Sequence, residues 1–165
     1  MFWRIEAFTQ EWEEERKITE KVMAVLTDDS LHKQVIPGRR TLGDIAWHLT
    51  LSPHYMTGCG LSFDGPEGGA EVPESAAFIA EQYGKVSLAL QNAVQTQWDD
   101  DRLQEVQEIM GQPYRKGEML RFTLMHQAHH RGQMTVLMRQ AGLRVPEVYG
   151  QTYESWIEAG MEPLK

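Results

Sequence analysis

His126, His129 and His130 fall within five positions of the segment Leu124-Met125-His126-Gln127-Ala128-His129-His130-Arg131-Gly132-Gln133, and they are half of the six histidines in the chain. Steps of three and four residues bring side chains to one face of a helix, so His126 can point the same way as His129 or, more closely aligned, as His130. On an ideal helix His129 lies about 60° to one side of His126 and His130 about 40° to the other. Neutral imidazole ligates zinc, nickel, copper and iron, and helical bundles assemble metal sites from inward-facing residues of neighbouring helices. His126 and His130 supply one side of such a site. His48, preceded at four residues by Asp44, is the candidate for the other side. Three protein ligands leave coordination positions open for water or substrate. Against this, lone histidines are ordinarily structural residues of intermediate burial, and the HExxH glutamate is missing, with Gln127 in its place.

The neighbours of the cluster have less to do chemically. Asp44 can orient His48 through the other ring nitrogen, or it can cap the helix that starts beside it. Gly132 suits a close helix approach, while Arg131 and Gln133 can pair with buried polar groups. Cys59, the single cysteine, has no evident basic neighbour in sequence to activate it. His32 and His54 are expected at the surface.

The elements that position these residues follow from apolar spacing. Ile5, Phe8, Trp12, Ile18, Val22, Val25 and Leu26 predict an amphipathic helix over about residues 5 to 27. Pro37-Gly38 breaks the chain, and Thr41 with Asp44 forms a capping-box pattern that starts a second helix carrying His48. The Gly- and Pro-rich stretch from Gly58 to Pro73 reads as a long loop. Ser75 caps a third helix over about Ala76 to Trp98. Leu103 to Pro113 permits a small hairpin. A fourth helix runs from about Glu118 to a left-handed stop at Gly142, before Pro146, and Tyr153 to Ala159 suits a short terminal helix. The predicted fold is all-α, a four-helix bundle with short additional helix or hairpin segments in one domain spanning residues 1–165.

Composition narrows the partners. A formal charge of -8 opposes the basic footprint needed to bind phosphates, so nucleic acid is not expected. A single cysteine excludes an intrachain disulfide and fits a reducing compartment. The acidic start lacks the pattern of a signal peptide, and no apolar run reaches the roughly 18 residues of a membrane span. A cytoplasmic protein is expected.

The string His126-Gln127-Ala128-His129-His130-Arg131-Gly132-Gln133, preceded by Thr41-Leu42-Gly43-Asp44-Ile45-Ala46-Trp47-His48-Leu49 and followed by Val148-Tyr149-Gly150, closely resembles the DinB-like family of bacterial metalloproteins. The resemblance covers nearly the whole chain. It implies a four-helix bundle, often a homodimer, in which one histidine of the second helix and two of the fourth bind a divalent metal. On this sequence those are His48, His126 and His130, and zinc or nickel is the expected ion. Apolar residues near the N-terminus, Trp3, Phe8 and Trp12, are candidates for the dimer face. Thiol-dependent S-transferases and an isomerase in the wider superfamily imply attack of a low-molecular-weight thiol on a small electrophile. A metal-dependent hydrolase is a nearby alternative. A stress-associated metal-binding or interaction protein without turnover is the alternative of a different class.

Overall fold

Four long helices follow from four amphipathic stretches in the computed structural model, which describes residues 1–163. Helix α1 spans Ile5–Met23 and buries Phe8, Trp12, Thr19, Val22 and Met23. The Trp12 indole N–H donates to the Ser87 carbonyl at 2.9 Å, tying α1 to the third helix. The first helix is shorter than its apolar pattern predicts. Thr27 and Ser30 exchange side-chain-to-backbone hydrogen bonds, and this local alternative diverts the chain into a 3₁₀ turn at Asp29–His32.

Helix α2, Leu42–Leu51, starts at the expected capping box: Thr41 Oγ1 accepts from the Asp44 N–H at 3.1 Å, and the Asp44 carboxylate accepts from the Thr41 N–H at 2.7 Å. A 3₁₀ segment, Ser52–Cys59, continues it from Pro53, whose missing N–H cannot extend the α ladder. Helix α3, Ala76–Gln97, is capped by Ser75, which accepts from the Phe78 N–H. Strands β1, Val106–Ile109, and β2, Gln112–Arg115, form the permitted hairpin. Its two turn residues, Met110 and Gly111, both have positive φ, 53° and 76°, as a type I′ turn requires.

Helix α4, Lys116–Gln140, carries the histidine cluster. Gly117 is demanded by its surroundings, because a Cβ there would sit 2.2 Å from the Phe2 carbonyl oxygen. The helix ends as predicted: Gly142 at φ 76° donates to Arg139, and the Leu143 N–H donates back to Met138, which satisfies two otherwise orphaned carbonyls. Helix α5, Tyr153–Glu158, folds back through ion pairs of Arg139 with Glu154 and Arg144 with Glu158.

Helices α1 and α2 each pack on both α3 and α4. Two apolar clusters result, one around Trp47, Leu49, Ile79 and Leu137, the other around Phe8, Trp12, Leu90 and Leu120. Between them along the helices lie the buried polar residues Glu15, Thr19, Ser87, Gln127 and Arg131. Arg131 is fully buried and bonds the Glu15 carboxylate at 2.5 Å, the Glu15 carbonyl at 3.1 Å and Thr19 Oγ1 at 2.8 Å. Tyr149 donates to the same Glu15 carboxylate at 2.6 Å. Among the described residues no helix is long and apolar enough to cross a membrane.

Three expectations are corrected here. Phe8 and Trp12 are core residues with no exposure, so of the proposed N-terminal dimer face only Trp3, at 60% exposure, reaches the surface. His54 is half-buried and donates to the Phe63 carbonyl, holding the loop that follows. Gly132 meets no close neighbour among the described residues; it lies on the exposed side of α4 and serves no helix contact there.

Candidate metal centre

Helix α2 presents His48 and helix α4 presents His126 and His130, so that one nitrogen of each ring lies within 4.8 Å of the others. His48 Nε2 and His126 Nε2 approach to 3.1 Å. The three ring centroids are 4.5 to 4.9 Å apart. His48 and His126 are half-buried, and His130 is buried.

Two glutamines build this arrangement. Gln127 is fully buried, and its amide donates at 3.2 Å to both the Leu49 carbonyl and Ser52 Oγ. Leu49 lies in the last turn of α2, where carbonyls lack helical partners, so Gln127 satisfies that end while pinning α4 against it. An ionised glutamate could not donate those bonds, which explains why an amide occupies this position. The second is Gln133. Its side-chain oxygen accepts from His130 Nδ1–H at 2.7 Å, which leaves Nε2 of that ring with its lone pair.

The electrostatics keep the rings neutral. Burial pushes the pKa of His126 down to about 4, helped by the neighbouring charges of His130, His48, His129 and Arg40. His48 is lowered by burial and then by His130 and Arg40. His130 is lowered mainly by burial, although its Gln133 bond works the other way. Neutral imidazoles are the form that ligates metals. Nitrogens bound at about 2.0–2.1 Å around a tetrahedral ion lie roughly 3.3 Å apart, close to the His48–His126 separation. The third ring offers a nitrogen within 4.8 Å of the other two, so the donor set is one that could hold a divalent ion such as zinc.

Other expected participants are placed elsewhere. His129 is exposed and lies beside His130 without joining the cluster. The Asp44 carboxylate accepts from the Thr41 N–H and hydroxyl, so its work is capping. Cys59 is buried in the apolar cluster around Phe8 and Trp12. It does have a basic neighbour, Lys116, which lowers its pKa, but burial outweighs this and pushes the thiol up.

One cavity borders the histidines at His130, and a second groove lies beyond Phe122. One, of about 380 Å³, is lined by His130, Gln133, Val136 and Leu137 of α4 together with Val35, Ile36, Arg39, Arg40 and Ile45. The other, of about 530 Å³, is an apolar groove lined by Tyr55, Ile109, Met110, Tyr114, Met119 and Phe122. The Phe122 ring lies 5.7 Å from that of His126 and so joins this groove to the cluster. Sequence reasoning missed Phe122 and both arginines. The one available signal was an Arg-Arg pair next to a Pro-Gly turn and a helix start.

The class of protein is a helical bundle whose second and fourth long helices bring together three imidazoles that could hold a metal ion. The chain belongs to the DinB family, whose pattern it matches over residues 1–162. It is 44% identical over 166 residues to the uncharacterized protein YrdA of Bacillus subtilis (strain 168), covering 100% of this chain and 99% of that protein. The crystal structure of a DinB-like protein from Bacillus cereus ATCC 10987 superposes with a TM-score of 0.85 at 45% identity, covering 90% of this chain and 100% of that one. A DinB-like protein from Bacillus subtilis shares the fold at 16% identity, with a TM-score of 0.68 over 88% of this chain and 99% of that one.

Proposed function

We propose that His48, His126 and His130 hold one divalent ion, zinc or nickel, and that the protein is an enzyme directing a low-molecular-weight thiol or water onto a small electrophile. When bound, such an ion lowers the pKa of a coordinated thiol or water and so makes an anionic nucleophile available at neutral pH. The observation that carries this reading is the convergence of three neutral imidazoles beside a cavity that His130 lines. A purely structural histidine cluster would have no need of an adjoining cavity of small-molecule size. Gln133 fixes the His130 tautomer. Phe122 and the largely apolar walls of the larger groove offer an apolar surface to an electrophile bound there. Cys59 is not the nucleophile, because its thiol is buried and its pKa raised. A cytoplasmic setting would supply the thiol.

The reading includes a homodimer. Phe122, Met125 and Val136 are each more than half exposed, and they fall with His129 and open Gly132 on one stripe of α4, at steps of three and four residues. A second copy seated there would border the histidine cluster.

The test follows loss of a small electrophile with a panel of low-molecular-weight thiols, comparing wild type, metal-stripped, His130→Ala and Cys59→Ala proteins. Thiol-dependent turnover should vanish on metal removal and in His130→Ala and should largely survive Cys59→Ala. Turnover that survives metal removal and vanishes in Cys59→Ala would overturn the mechanism. Turnover with water alone would make the protein a hydrolase. No turnover with metal-replete protein would leave a metal-binding role without catalysis.

A further inference from the structure

The smaller cavity carries the charge of two exposed arginines that no carboxylate among the described residues pairs with. Arg39 and Arg40 both line it beside His130 and Gln133. In a chain of net charge -8, neither forms an ion pair among the described residues. Their carrier is pinned at its neck. Gln34 and Thr41 form an antiparallel bridge, and the Leu42 N–H donates to the Lys33 carbonyl at 2.7 Å. At the tip, Pro37 and Gly38 occupy the central positions of a turn closed by the Arg39 N–H on the Ile36 carbonyl at 3.2 Å, with Gly38 at φ 76°. The loop therefore returns both arginines next to the start of α2. The rest of the cavity wall is apolar, from Val35, Ile36, Ile45 and Leu137.

The histidine cluster sharpens the imbalance. It contains no carboxylate, and His130 shares its cavity with both arginines. Adding a dication beside two guanidinium groups leaves a local excess of positive charge that an anionic ligand would relieve. A guanidinium matches the two oxygens of a carboxylate in a planar, two-point contact. A volume of about 380 Å³ lies in the ordinary range of small-molecule pockets, roughly 300–1,000 Å³.

We infer that this cavity binds a small carboxylate with an apolar body, its carboxylate held by Arg39 and Arg40 and its body against Val35, Ile36 and Leu137, next to the three-histidine cluster. This deepens the enzymatic reading above, on which calling that ligand a substrate rests. Charge selection by the cavity does not depend on the metal.

Hexanoate and its neutral analogue hexanamide are the probes, titrated at pH 7 into metal-free and zinc-supplied protein and followed by amide chemical shifts. Hexanoate should bind about tenfold more tightly than hexanamide in the metal-free protein, shifting residues of the loop from Val35 to Arg40. The Arg39→Met/Arg40→Met double variant should bring the ratio close to one, while Arg102→Met, remote from the cavity, should keep it. Equal binding of the two probes, no binding of either, or a preference that persists in the double variant would overturn the proposal. A preference seen only with zinc would overturn it as well, because it would mark direct ligation by the carboxylate. Should the protein take up no zinc, the metal reading falls, and the metal-free titration still decides this one.

Discussion

His48 Nε2 and His126 Nε2 lie 3.1 Å apart across helices α2 and α4, although 78 residues separate them in the chain. Both nitrogens face the same small space, and the nearby Gln127 amide holds the two helices at that spacing. At that distance one ring can donate its Nε2–H to the other, or both can turn their lone pairs toward a common ion, depending on the tautomers.

Gln133 should matter to metal affinity more than to stability. It is exposed, and its contact in the site is the 2.7 Å bond from His130 Nδ1. Gln133→Ala should lower zinc affinity by about 10- to 100-fold in a competition titration, with little change in the denaturation midpoint. Unchanged affinity would show that this bond does not orient the ligand.

Glu15→Ala should leave the Arg131 guanidinium buried without its carboxylate partner. Loss of one member of a buried pair costs about 3–5 kcal/mol, and urea denaturation should read a loss of that order. A change below about 1 kcal/mol would mean that Tyr149, Thr19 and water compensate for the missing charge.

Acidification should destabilise the metal-free protein within a defined window. The folded state holds His126 down to about 4 from an ordinary 6.5, chiefly by burial, and lowers His48 and His130 in the same direction. Below about pH 6.5 the unfolded chain takes up protons that the folded chain refuses, so stability is full above that value and falls as pH drops toward 4. Urea midpoints measured between those limits should decline, and less steeply in His126→Leu. A flat profile in wild type would contradict the burial of these rings.

The exposed stripe of α4 should join two copies. Light scattering at micromolar concentration should give about twice the 19.0 kDa chain mass, and Met125→Glu should return it to the single-chain value. A monomer at all concentrations would remove the dimer from the account.

What could be read from sequence was local. Thr41 with Asp44, Ser75, and Gly142 ahead of Pro146 fix helix ends through bonds to residues three to five positions away, and each appears as read. The cluster was legible for the same reason, since His126 and His130 are set by helical spacing alone. Choices made by tertiary packing were not. Phe8 and Trp3 look alike in sequence, yet α1 buries one and leaves the other out. Gly132 sits open because the face it occupies meets no neighbour among the described residues, which no spacing rule discloses. Met110 takes a left-handed turn position at φ 53° without the Asn or Gly that would have signalled the hairpin. Lys116 near Cys59 and Arg40 near His130 are contacts across the fold, invisible until the loops are placed.

The most direct test of the central claim is elemental analysis of protein purified without an affinity tag and supplied with zinc or nickel, alongside His48→Ala, His126→Ala, His130→Ala and His129→Ala. One divalent ion per chain is expected in wild type and in His129→Ala, with the ion lost or its affinity sharply reduced in each of the other three. A wild-type protein that binds no ion, or an unchanged stoichiometry and affinity in all three cluster variants, would contradict the assignment.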